Sequence, residues 1–144
     1  MRFATIVVSV ALVLAACGGT SPAANSTPST GVFGTATLFD DRCDFGMPDK
    51  LPIEVVTIKL VNRSQHNGRF ILAQLHGGHT VQDVIDYKGE VRPGWADDVA
   101  VLDVPASKSG EMVATIAESG TYGMHCGYAD ATGHVTAFWH QLSA

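Results

Sequence analysis

Cysteine and histidine supply the most reactive side chains in this sequence. Its 144 residues include three cysteines and six histidines, and Cys43 and Cys126 lie within the part that should fold. Where a protein is exported, two such cysteines usually form a disulfide bond, which here would close a loop of about 80 residues. The alternative is that Cys126 remains a thiolate and binds a metal ion together with histidines. We therefore expect the disulfide, with a metal-bound Cys126 as the alternative.

The first residues have the pattern of an export signal. Arg2 provides a positive charge, and the apolar run 4–14 is shorter than the roughly 20 residues that span a membrane. The run ends in LAAC at 14–17, a pattern typical of a bacterial lipobox. We therefore expect a signal peptide at 1–16 and a lipid on Cys17 that anchors the chain on the extracytoplasmic side of the cell membrane. An ordinary signal peptide with a chance cysteine is the alternative.

The remaining chain divides into a tether and one domain. Residues 18–31 read GGTSPAANSTPSTG and contain no large apolar side chain, so that 17–31 should form a flexible tether. Residues 32–144 suffice for a single domain with a hydrophobic core, because the sequence is 46% hydrophobic and 16% charged. The formal charge of −5, without any block of lysine or arginine, argues against a nucleic-acid partner.

Short strands must position the cysteines and histidines. Residues 54–62 form the clearest strand, because Val56, Ile58 and Leu60 alternate with more polar positions. Thr80 followed by Asp83 predicts a capping box and a brief helix. Further strands are predicted at 32–39, 69–75, 99–104, 112–117, 120–128 and 135–142. This pattern is typical of an all-β, antiparallel Greek-key β-sandwich with one short helix.

Two segments resemble a known family of β-sandwich proteins. The letters GTYGMHC at 120–126 resemble the G-T-Y-x-x-x-C strand of the cupredoxins, the plastocyanin-like copper proteins. A strand ending at Asn62, a polar turn with His66 and the strand RFILAQL at 69–75 are similar to their second and third strands. The resemblance covers roughly residues 32–142 and implies a cupredoxin-like sandwich.

The same resemblance implies an incomplete copper site. A type 1 centre uses two imidazoles and a thiolate, usually with a weak axial methionine. The corresponding residues here would be His66, Cys126 and His134. However, His66 comes slightly early, His134 follows Cys126 later than in the family, and no methionine follows His134. This chain is thus similar to exported cupredoxin-like domains that lack an obvious copper site.

The functional expectation is correspondingly modest. No paired carboxylates, phosphate-binding loop or catalytic triad stands out, and His125 and Cys126 should point to opposite faces of their strand. We expect a non-enzymatic binding or structural module, held at the membrane by its lipid, without a cofactor. The alternative is a copper protein for electron transfer or copper delivery that uses Cys126 and histidines. A copper or zinc site made of histidines alone competes with the simpler view of solvated turn histidines.

Overall fold

The structure is a computed structural model and describes residues 31–89 and 91–144. The predicted signal peptide at 1–16, the lipidation site Cys17 and all but the last residue of the predicted tether 17–31 lie outside the described residues. Within the described part, no helix is long and apolar enough to cross a membrane.

The described residues form two four-stranded sheets and one short helix. In chain order the elements are β1 (Val32–Leu38), β2 (Cys43–Gly46), β3 (Val55–Asn62), β4 (Gly68–Leu75), α1 (Val81–Asp86), β5 (Ala96–Val104), β6 (Ser109–Thr115), β7 (Thr121–Ala129) and β8 (Val135–Ser143). The first sheet has the order β2-β1-β3-β6 and the second sheet the order β5-β4-β7-β8. This arrangement confirms the predicted all-β sandwich with one short helix.

One strand pair departs from the predicted antiparallel arrangement. β1 and β3 run parallel, whereas the other neighbouring strands are antiparallel. The reason lies in the connection between β2 and β3, which leaves the first sheet and runs beside β8. There Ser143 donates a hydrogen bond to the carbonyl of Asp49, and Leu51 donates one to the carbonyl of Ser143. The chain therefore enters β3 from the same end as β1.

Alternating side chains of the strands fill the space between the sheets. Val56, Ile58 and Leu60 of β3 are at most 3% exposed, as their spacing predicted. Tyr122 and Met124 of β7 belong to the same core. Full burial of a large apolar side chain contributes about 1.5–3 kcal/mol, so this layer provides most of the stabilisation.

The short helix lies outside the sandwich, against the second sheet. Its predicted capping box is present, because the backbone N–H of Thr80 donates to the carboxylate of Asp83 at 2.7 Å while the Asp83 N–H donates to the Thr80 hydroxyl. The hydrogen bonds from Thr80 lower the pKa of Asp83. Val81 is buried in a small second cluster of apolar residues, on the outer face of the second sheet.

A disulfide bond joins the two sheets, as predicted. Cys43 in β2 and Cys126 in β7 are bonded through their sulfur atoms, with their Cα atoms 6.3 Å apart. The sulfur of Cys126 lies in the core, where its residue has no solvent exposure. β2 itself was not predicted from the sequence, because four residues between two turns give too little alternation to detect.

Removing this disulfide should destabilise the domain strongly. The bond closes a loop with a sequence separation of 83 residues. Its loss in the double variant Cys43→Ala/Cys126→Ala should lower the free energy of unfolding by about 4 kcal/mol, mainly because the unfolded chain gains conformational freedom. Urea unfolding under non-reducing conditions measures the difference. Dithiothreitol should destabilise the original chain but leave the double variant unchanged; equal stability without reductant would contradict this assignment.

Candidate functional site

The first predicted copper ligand, Cys126, is occupied by its bond to Cys43. A type 1 centre requires a free thiolate, which a disulfide sulfur cannot provide. Because Cys126 has no solvent exposure, a reductant or a metal ion can reach its sulfur only after the sandwich has opened locally. The disulfide and the type 1 site are thus mutually exclusive uses of one sulfur atom.

The second predicted ligand, His66, lies in a turn that Asn62 holds together. The buried Asn62 amide donates to the carbonyl oxygens of His66 and Val104, each at 2.8 Å, and its side-chain oxygen accepts two hydrogen bonds from Ser64. This places the His66 ring on the ring of Tyr128, with 4.4 Å between the centroids and nearly parallel planes. His66 therefore packs as an aromatic ring at this end of the sandwich.

The third predicted ligand, His134, belongs to an exposed turn between β7 and β8. One carboxylate oxygen of Asp130 accepts hydrogen bonds from the Thr132 backbone N–H, the Thr132 hydroxyl and the His134 backbone N–H, at 2.6–3.0 Å. These bonds, led by that of the Thr132 hydroxyl, lower the pKa of Asp130. The conformation of the turn thus depends on Asp130 and Thr132, and needs no metal ion on His134.

The residues present do not fit a type 1 copper centre in this disulfide-bonded form. Across residues 31–89 and 91–144, no three His, Cys, Asp or Glu side chains converge in a way that could hold a metal ion. The other histidines contact separate partners: His76 approaches Asp97 at 3.0 Å, His79 stacks on Trp95, and His140 stacks on Phe45.

His125, which the sequence alone led us to reject as a catalytic base, occupies a different kind of position. As predicted, it points away from Cys126, onto the outer face of the second sheet. It belongs to a row across that face with Val101, Ile71 and Trp139. Its ring lies 4.9 Å from the Trp139 ring, centroid to centroid, and the residue is only 8% exposed.

Burial changes the protonation of His125. Desolvation lowers its pKa to about 4, and the positive charge of Arg69 adds to the effect. The imidazole is therefore neutral at neutral pH. Its Nδ1 atom is inaccessible to solvent and has no hydrogen-bond partner among the described residues. Such a nitrogen is uncommon in a folded interior and calls for an explanation.

Two clefts adjoin on this outer face. The first, named here the His125 cleft, has a volume of about 560 Å³ and is lined chiefly by Arg69, Asp103, His125, Gly127, Tyr128 and Val135. The second, named the Trp139 cleft, has a volume of about 550 Å³ and is lined chiefly by Ile71, Ala73, Val84, Pro93, Val135 and Trp139. Val135 belongs to both linings.

A signal for this face was present in the sequence. On β7, Gly123 and Gly127 flank His125 at alternate positions, so three successive outward residues are glycine, histidine and glycine. Glycine in a strand often marks a place where another group approaches the backbone closely. At Gly123 that group is the Trp139 ring, whereas Gly127 lines the His125 cleft. The resemblance of 120–126 to a copper-binding strand directed attention to the inward-facing Cys126 instead.

Comparisons with known proteins do not assign a role to these residues. No protein-family model matches the chain, and no curated protein matches it. Among solved structures, it is similar to dithionite-reduced auracyanin from the photosynthetic bacterium Roseiflexus castenholzii. The TM-score is 0.43 and the sequence identity 13%, with 64% of this chain and 81% of that chain covered. Similarity at this level carries no conclusion about function.

Proposed function

We propose that this chain is a lipid-anchored protein of the cell envelope whose cupredoxin-like domain serves as a non-enzymatic binding module. The observation that carries the proposal is the Cys43–Cys126 disulfide. It holds in the core the one sulfur that a type 1 copper centre would need, and it is the kind of bond that persists in exported proteins.

Two further observations support a binding role over catalysis. His125 and Cys126 face opposite sides of β7, so the pair cannot act as base and nucleophile. The clefts on the outer face of the second sheet have the size of small-molecule sites, which typically range from about 300 to 1,000 Å³. The proposed place of action is the extracytoplasmic side of the membrane, with the lipid on Cys17 as the anchor.

Copper addition tests the disulfide-based proposal against the copper alternative. We expect the unreduced chain to weigh two hydrogen atoms less than the reduced chain, and Cu(II) to produce no intense thiolate-to-copper band in visible absorption. The matched variant Cys43→Ala frees Cys126 and shows whether a thiolate at this position can bind copper with His66 and His134. An intense visible band in the original, unreduced chain would overturn the proposal.

The anchor is tested separately through Cys17. In a bacterium that processes lipoproteins, the original chain should be recovered from the membrane fraction and carry a lipid on Cys17, because an acyl-bearing cysteine partitions into the bilayer. The variant Cys17→Ser should lose that lipid and leave the membrane fraction. Cys43→Ala serves as a control for the loss of a cysteine as such. Membrane recovery of Cys17→Ser equal to the original would count against a lipid anchor.

His125 should make the stability of the domain depend on pH. Its pKa is 6.5 in the unfolded reference state and about 4 in the folded domain, so the unfolded state binds more protons between these values. The contribution of His125 to the free energy of unfolding is therefore constant above the unfolded pKa. As the pH falls from 6.5 towards 4, the free energy of unfolding decreases by up to about 3 kcal/mol. The variant His125→Phe should remove this part of the slope. Urea unfolding between about pH 7 and pH 5 measures it; parallel curves for the two chains would contradict the assignment.

A further inference from the structure

We propose that the His125 cleft and the Trp139 cleft together bind an uncharged, largely apolar small molecule that carries one hydrogen-bonding group. This inference rests on the proposed binding function and names its site and its class of ligand. The features that support it are the space above the sheet, the charges around that space, its apolar wall and the buried imidazole.

The space exists because small residues occupy outward-facing positions of the second sheet. Gly127 lies between Arg69 on β4 and Ala137 on β8. A Cβ atom on Gly127 would stand 2.5 Å from the carbonyl oxygen of Thr136, so no larger residue fits without backbone movement. The floor of the His125 cleft is consequently kept free of side chains by the backbone geometry itself.

The charges around the two clefts cancel. Arg69 binds Asp103 through two hydrogen bonds of 2.8 and 2.9 Å, which lower the pKa of the aspartate and raise that of the arginine. In the Trp139 cleft, Arg92 lies 2.8 Å from Asp98. Among the described residues, each lining therefore contains one arginine and one aspartate, whose charges cancel. A charged ligand would have to compete with an existing ion pair, whereas an uncharged ligand would not.

The wall between the clefts is apolar and aromatic. Ile71 lies directly opposite His125 in the register of β4 and β7, and Trp139 lies directly opposite it on β8. Val135 completes this wall and is 63% exposed. A ligand that covered Val135 and contacted Ile71 and Trp139 would remove apolar surface from water, which is the main source of affinity in such sites.

The imidazole supplies the hydrogen bond. A Cβ atom on Gly127 would stand 3.0 Å from Nε2 of His125, so this ring nitrogen borders the space above Gly127. A neutral imidazole offers one donor and one acceptor, and Nδ1 is buried without a partner. Nε2 is therefore the ring nitrogen available to a ligand, and one polar group on that ligand suffices to match it.

N-phenyl-1-naphthylamine is a suitable probe, because it is uncharged, consists of aromatic rings joined by one N–H, and fluoresces when it leaves water. The full chain carrying Cys17→Ser avoids competition for the dye from lipid or detergent. We expect saturable binding with one dye per chain. 1-Anilinonaphthalene-8-sulfonate has the same rings and N–H plus a negative charge, and should bind about tenfold more weakly or worse.

Two matched substitutions locate the site. Val135→Glu places a charge on the wall shared by both clefts and should weaken binding of the uncharged dye about tenfold or more. Val113→Glu changes a valine of nearly equal exposure, 62% against 63%, on the outer face of the first sheet, and should leave affinity within about twofold. In NMR spectra, the dye should shift the His125 ring and the Ile71 methyl signals, and leave those of Val113 in place.

The outcomes separate this inference from the proposed function. No saturable binding, equal affinity for both dyes, or equal effects of the two valine substitutions would overturn the ligand site while the disulfide and the anchor stand. A copper–thiolate band in the unreduced chain would overturn the proposed function and leave dye binding at the second sheet unaffected.

Discussion

The bond between Cys43 and Cys126 ties the two sheets of this domain together and fixes the chemistry of strand β7. It connects the edge strand β2 of the first sheet to a central strand of the second sheet. β2 is a short strand of four residues, each of which pairs with a residue of β1. The disulfide adds a covalent constraint to this edge, and it uses the sulfur that a type 1 copper centre would need as a thiolate.

Strand alternation then separates two kinds of site on β7. Cys126 faces inward, so that its chemistry is sealed within the core, whereas His125 faces outward over the second sheet. His125 is neutral in this position, because burial against Trp139 and the charge of Arg69 both disfavour the imidazolium. Gly127, two residues further along β7, lines the cleft beside it.

At the end of the sandwich near His66, side chains pack and hydrogen-bond with one another. Asn62 satisfies all its hydrogen-bonding groups there and joins the end of β3 to the end of β5. The Tyr128 hydroxyl donates to the carbonyl of Asp40 at 2.6 Å, and its ring supports His66. Because these polar groups already bind one another, a metal ion would have to displace formed hydrogen bonds to gain ligands here.

The sequence predicted features that depend on residue types and short-range patterns. It did not predict strand pairing that depends on the path of distant segments. The strand around Ile58, the cap at Thr80 and the disulfide followed from alternation, hydrogen-bonding types and cysteine count. The parallel pairing of β1 with β3 did not, because it depends on how the segment around Leu51 passes beside β8.

The candidate site escaped prediction for a related reason. A glycine–histidine–glycine alternation has meaning only once Ile71 and Trp139 are known to flank it on neighbouring strands. Family resemblance pointed to Cys126, the residue whose role in this chain differs most from that of a copper ligand. The resemblance thus directed attention to the inward face of that strand, whereas both clefts lie on the outward side of the sheet. Which residues share the face with the clefts depends on the register between neighbouring strands. The sequence of one strand alone does not reveal that register.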